Sequence, residues 1–197
     1  MSAVTFKYAL CVEYDGSGFS GWQTQVGQRT VQQELEKALS KVADHTVSVV
    51  TAGRTDAKVH ATGQIVHFDT VVHRELIAWH FGVNRFLPRD IRVHWVNVVD
   101  SQFHARFSAI KRSYRYIIYN HNVKPCLWRN YVSHQYRPLN VDLMNQAAQA
   151  FIGEQDFSSV RAAGCQAKTA IRNVMKLTVE RSGNCLLYTS PSPRDRG

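Results

Sequence analysis

The chain has 197 residues, 44% of them hydrophobic, with 24 lysines and arginines against 15 acids and a formal net charge of +9. That composition can build a real core in one or two domains and excludes the disordered, collagen-like and disulfide-scaffold classes. No apolar stretch approaches the roughly 20 residues of a membrane span, and Cys11, Cys126, Cys165 and Cys185 form no C-x-x-C pair, so a cytoplasmic protein with free thiols is expected.

In chain order, Tyr8, Leu10 and Val12 alternate with Ala9, Cys11 and Glu13 and predict a strand. Thr30-Val31-Gln32-Gln33 carries a capping-box signature and opens a helix whose apolar face is Val31, Leu35, Ala38, Leu39 and Val42. Val47 to Thr51 and Gln64 to Phe68 read as two more strands. Arg74 to Val83, with Leu76, Ile77, Phe81 and a terminal Asn84, suits a second helix. Ile91, Val93 and Trp95 alternate with Arg92 and His94 in a strand running on to Val99. Strand, helix, strand, strand, helix, strand is the split βαβ pattern, so an α+β, ferredoxin-like (βαββαβ) domain with a mostly antiparallel sheet is expected over 1–100.

After Asp100 the pattern begins again, with a long strand over Arg106 to Asn120. A helix follows over Asn140 to Ile152, with Leu143, Ala147, Ala150 and Phe151 on one face and Gly153 as its stop, then a strand over Ile171 to Arg181. Residues 101–184 therefore predict a second, incomplete ferredoxin-like domain. The remainder, 185–197, reads CLLYTSPSPRDRG. Pro191 and Pro193 do not suit a central strand and apolar residues are few, so a non-native, adapter-like tail on a chain truncated near Asn184 is expected.

The charge is local. Residues 101–141 hold seven basic side chains (Arg106, Lys111, Arg112, Arg115, Lys124, Arg129 and Arg137), eight aromatics and no Asp or Glu. Cations bind phosphates and aromatic faces stack on unpaired bases, so this asymmetry points to nucleic acid, RNA above all. Tyr116 and Phe107, set in alternating sequence, are expected to fill the core instead.

Gly16, Gly18 and Gly21 match G-x-G-x-x-G after a strand, but no helix opens there, and a dinucleotide site needs one. They are expected to shape a loop, one that could approach an RNA backbone. Between the second and third strands, Gly53 and Gly63 bracket a polar loop in which Asp56 follows Arg54 by two residues. An Arg-x-Asp in a loop is as readily structural as chemical. It can satisfy backbone amides, or supply a nucleophile or base kept ionised by adjacent positive charge. His60 and His67 have no third ligand at metal-site spacing, so no metal is expected.

The loop GRTDAKVHATGQ closely resembles the catalytic motif of the tRNA pseudouridine synthase A family. YDGSGFSGWQTQ, VNRFLPRDIRV, FHARFSAIKRSYRYIIYN and GEQDFSSVRA resemble that family's other segments, in its order, over about Phe6 to Arg181. The resemblance implies an isomerase that turns uridines 38, 39 and 40 of the tRNA anticodon stem-loop into pseudouridine, without cofactor, as a homodimer. It implies Asp56 as the catalytic aspartate, Arg54 as the residue that helps extrude the nucleotide, and Tyr114 as the tyrosine stacked on the flipped uracil. Arg106, Lys111 and Arg112 would be phosphate contacts.

Two departures from that family stand out. Lys58 occupies a place that is usually glycine there, and where the backbone needs a positive φ a lysine costs about 1 kcal/mol or more. The family's C-terminal third, with a basic partner for the aspartate, has no counterpart, so weak or absent activity is expected. The competing reading from the residues is an RNA-binding module without chemistry.

Overall fold

The computed structural model describes residues 4–160 and 169–193. Residues 161–168, which hold Cys165 and the end of the GEQDFSSVRA segment, and the last residues of the proline-rich tail, 194–197, lie outside the described residues. The chain divides into two compact units, 1–109 and 110–197. Together they make a mixed α/β protein with antiparallel and mixed sheets.

Unit 1 runs β1 (Phe6–Tyr14), α1 (Val31–Ala43), β2 (Val49–Thr51), β3 (Ala61–Thr70), α2 (Leu76–Phe86), β4 (Ile91–Val98). Its sheet has the order β2-β3-β1-β4 with every neighbour antiparallel. Tyr8, Leu10, Val12 and Tyr14 from β1 meet Val66 and Phe68 from β3, Leu35 and Leu39 from α1, and Trp79 and Val83 from α2 in one core. Burying each such large side chain contributes about 1.5–3 kcal/mol. Helix α1 begins at Val31 as its pattern predicts, but Thr30 makes no side-chain cap bond. The first amides of the helix are taken by other carbonyls: Val31 N donates to Gly21 O at 3.2 Å and Gln32 N to Trp22 O at 3.0 Å.

Two expectations about core faces are corrected in this unit. In α2 the buried side chains are Trp79 and Val83, whereas Ile77 and Phe81 are exposed. In β4 the alternation breaks. Cys11 pairs with Trp95 and Val12 with Val93, so His94 is an extra residue on β4. That bulge shifts the inward face from Ile91 and Val93 to Val96 and leaves Trp95 partly exposed.

Unit 2 contains β5 (Lys111–Asn120), β6 (Ser133–Gln135), α3 (Val141–Ala148), β7 (Gly153–Asp156), β8 (Ile171–Val174), β9 (Thr178–Ser182) and β10 (Cys185–Pro193). One sheet has the order β6-β5-β10-β9, with β5 and β6 parallel and the other pairs antiparallel, and β7 pairs with β8 separately. Asn140 caps α3 by accepting Leu143 N at 3.0 Å. Ala148 is the buried residue of that helix, while Leu143 and Phe151 are exposed rather than on an inward face. A 3-10 turn, Gln149–Phe151, precedes Gly153 at φ +86°.

Three strand expectations are corrected. Residues 106–110 do not extend β5: His104 N donates to Ser108 Oγ at 3.0 Å and Ser108 N returns to His104 O at 2.7 Å, closing a turn in unit 1. Residues 171–181 form two strands, because β8 pairs with β7 and β9 with β10, and the chain changes partner between them. Most consequentially, 185–193 is not a loose tail. It is β10, paired along β5 from Cys185↔Tyr119 to Pro193↔Lys111. Pairing of β10 with β9 ends at Thr189↔Thr178, so Pro191 and Pro193 fall where the strand has one neighbour and a missing N–H costs least. Leu186 is fully buried.

Candidate active site

Asp56 lies in the connection between β2 and β3, a segment of unit 1 with no regular structure of its own. The connection is anchored at its start, where Ala52 N donates to Ile65 O at 2.8 Å and both Thr51 Oγ1 and Gln64 Nε2 donate to Gly53 O. Val59 N donates to Asp56 O at 3.2 Å, closing a four-residue turn that Asp56 opens. The third residue of that turn is Lys58 at φ +67°, the pattern of a type II turn. The condition attached to this glycine-like position, a positive φ, is met, and a lysine fills it. Arg54, Asp56 and Lys58 are exposed together on this short loop. Among the described residues no ion pair forms to Asp56.

The loop is held from beneath by the connection between β1 and α1. Trp22 N donates to Thr55 O at 2.9 Å and Lys58 N to Phe19 O at 3.4 Å. Tyr14 Oη and Thr55 Oγ1 are 2.8 Å apart. His60 Nδ1 accepts Gly16 N at 3.2 Å and lies 3.1 Å from Asp15 Oδ1, which in turn accepts Ser17 N at 2.9 Å. A Cβ on Gly16 would stand 2.1 Å from Val59 O; one on Gly21, at φ +94°, would stand 2.8 Å from Thr55 O. Side chains cannot fit at either place. Gly16 and Gly21 therefore serve a close backbone approach to the Asp56 loop, whereas a Cβ on Gly18 would meet the Arg29 side chain at 3.2 Å. Nothing in the sequence marks Tyr14 or Thr55 as cradle residues, and His60, weighed there only as a metal ligand, proves to be one as well. The one available signal was the glycine spacing, which names no partner.

Arg106 is exposed in the turn that ends unit 1, its guanidinium 5.8 Å from the Phe107 ring. Phe107 is exposed too, not core as expected, with its ring 4.2 Å from that of His104. In unit 2, Arg112 and Tyr114 project from one face of β5 and Lys111 from the other, by the alternation of a strand. Tyr114 is 54% exposed and lines an open apolar groove of about 370 Å³ with Tyr116, Ile118, Leu177, Tyr188 and Ser190. Tyr116 is likewise exposed rather than buried, its hydroxyl bonded to Ser133 Oγ. Burial pushes the Tyr188 hydroxyl up from its ordinary value.

His67 faces away from the core helices, beneath residues 103–105 of the same unit. It is buried, accepts Ala105 N at Nδ1 over 3.1 Å and packs against the rings of Phe103 and His104. Burial, then the charges of Lys7 and His104, lowers its pKa, with Asp69 opposing. Among the described residues no three His, Cys, Asp or Glu side chains converge as metal ligands do, and no helix is long and apolar enough to cross a membrane.

A family model described as "tRNA pseudouridine synthase" matches residues 10–108 and 147–189. The first range holds Arg54, Asp56 and Arg106, while Lys111, Arg112 and Tyr114 fall between the two. The second reaches into β10. Among curated relatives, the tRNA pseudouridine synthase A of Tolumonas auensis is 54% identical over 181 residues, covering 92% of this chain and 69% of that protein. Its namesake from Salmonella arizonae is 54% identical over 92% of this chain and 67% of its own length. That from Aeromonas hydrophila is 55% identical over 90% of this chain and 66% of its own. The chain thus spans about two thirds of the length of the relatives it matches.

Proposed function

The chain belongs to the tRNA pseudouridine synthase family, a family of isomerases, and on that premise we propose that it isomerises uridine in tRNA with Asp56 as nucleophile. The targets in this reading are uridines 38, 39 and 40 of the anticodon stem-loop. The reaction breaks the bond between ribose C1′ and uracil N1, turns the ring and rejoins it to C1′ through C5; C5 gives up its proton and N1 ends protonated. An ionised carboxylate is the fitting nucleophile, whether it adds to the ribose or to the pyrimidine ring, since neither is electrophilic enough for a neutral acid.

The observation that carries this reading is the setting of Asp56: an exposed carboxylate opening a tight turn, between two cations, on a loop pinned by a second loop. A base must leave its stack to meet such a group. Arg54, two residues away, is suited to hold the phosphate of the extruded nucleotide. Tyr114, exposed beside an apolar groove, offers a face for the uracil, and its hydroxyl is an acceptor for the C5 proton. Arg106, Lys111 and Arg112 would bind backbone phosphates. The strand order β2-β3-β1-β4 with two helices supports a ferredoxin-like first domain. The order β5-β10-β9 with α3 repeats its β1-β3-β2 portion, which supports a second. A cytoplasmic homodimer acting on one tRNA belongs to the same reading.

The test uses tRNA carrying tritium at uridine C5, because each turnover frees one C5 proton. Release by the unaltered chain and none by Asp56→Ala, with tRNA affinity unchanged, is the expected result. The acid-free stretch 101–141 favours the second reading, an RNA-binding module without chemistry. In that case neither chain releases tritium while both bind tRNA. Release by Asp56→Ala removes Asp56 from the nucleophile's role.

A further inference from the structure

Six described residues have clearly positive φ: Gly21, Gly27, Asp44, Lys58, Gly153 and Gly183. Four are glycines, for which this conformation carries no steric penalty. Asp44 sits at the C-cap of α1, where a short polar side chain commonly takes the left-handed state. Lys58 has neither excuse. It is long, ends no helix, and holds φ +67° in the turn that Asp56 opens. Such strain in a non-glycine residue concentrates where a side chain is needed for something other than folding. The Lys58 side chain is exposed, and among the described residues its ammonium forms no ion pair.

Resting on the reading of the chain as a tRNA-acting enzyme, we infer that Lys58 is an additional phosphate contact, gripping the RNA backbone beside the nucleotide presented to Asp56. A lysine is a compact point charge on a flexible stem of four methylenes. Seated two residues from the carboxylate, it reaches the backbone of the same nucleotide or its neighbour, where the Asp56 charge would otherwise repel phosphate. The strained turn thus gives up folding stability and gains local RNA affinity, and the two effects are separable.

Three substitutions separate them. Lys58→Gln removes the charge and keeps the left-handed backbone under a side chain; Lys58→Gly removes both; Lys58→Arg keeps the charge. Binding of an anticodon stem-loop RNA is measured across about 50–200 mM salt, and each chain is melted without RNA. We expect Gln and Gly to weaken binding several-fold at the low-salt end and to reduce the slope of log affinity against log salt by about one, with Arg near the unaltered chain. Gly alone should raise the melting temperature. An unchanged slope for Lys58→Gln, while the unaltered chain binds, overturns the contact and leaves the tRNA reading intact. A Lys58→Gly chain that melts no higher removes the strain behind the inference. Failure of the unaltered chain to bind the stem-loop sinks the tRNA reading itself.

Discussion

Gly21 lies so close to Thr55 that a Cβ on the glycine would stand 2.8 Å from the carbonyl oxygen of the residue preceding Asp56. The same glycine holds φ +94°. Gly21→Ala therefore meets two penalties at once, a strained backbone worth about 1 kcal/mol and a clash with backbone that cannot swing aside. We expect a lower denaturation midpoint and, where tritium release is measurable, a lower turnover number with tRNA affinity retained. A midpoint equal to that of the unaltered chain would show that the two loops can separate without loss.

Tyr14 and Thr55 are joined through their hydroxyls, 2.8 Å apart. The bond ties β1 to the residue beside Asp56. In a double-mutant cycle of Tyr14→Phe and Thr55→Val, followed by chemical denaturation, the coupling should be about 0.5–1.5 kcal/mol. Zero coupling would mean that water serves either group as well.

His67 gives the fold a dependence on pH. Its Nδ1 accepts Ala105 N and burial lowers its pKa from the ordinary 6.5, so the native state takes up its proton later than the unfolded chain does. Between 6.5 and the lower folded value the unfolded state binds more protons, and stability must rise with pH. The effect is complete above 6.5 and is lost as pH falls through that window. Denaturation of the unaltered chain and of His67→Gln at pH 7 and pH 5 checks this: the drop should be smaller in the variant.

Leu186 is fully buried, in a stretch that the sequence suggests should not pack. The described core of unit 2 is small, with Ala148, Val174, Val179 and Leu186 as its buried hydrophobic residues. Leu186→Ala should cost about 2–5 kcal/mol and make unit 2 sensitive to protease while unit 1 persists. Unchanged proteolysis would return 185–193 to the status of an appendage.

The elements of unit 1 were legible because their signals are local. Tyr8, Leu10 and Val12 alternate along one strand, and Val31, Leu35, Ala38 and Leu39 share one helix face; all are buried as that periodicity requires. That Arg54 and Asp56 share one short exposed loop was legible from the bracketing glycines, whereas a left-handed backbone at Lys58 was expected only on the condition that its glycine-like place needs a positive φ. Trp95 was misplaced because a single extra residue in β4 reverses every later side chain, and no alternation announces a bulge. Residues 185–193 were misjudged because two prolines forbid a ladder bond only where a neighbour stands, and at that end β9 has already stopped.

Taken alone, the sequence determined which residues could turn, alternate or lie along a helix, where the positive charge is concentrated, and which carboxylate stands in a glycine-bracketed polar loop. The tertiary structure decided partners: that Gly16 and Gly21 make room for the Asp56 loop, that His67 receives Ala105, and that β10 lies between β5 and β9. The division has a physical cause. Backbone preference and periodicity act over a few neighbouring residues, whereas close approach and strand pairing join segments far apart in the chain, and their identity is settled only when the chain has folded.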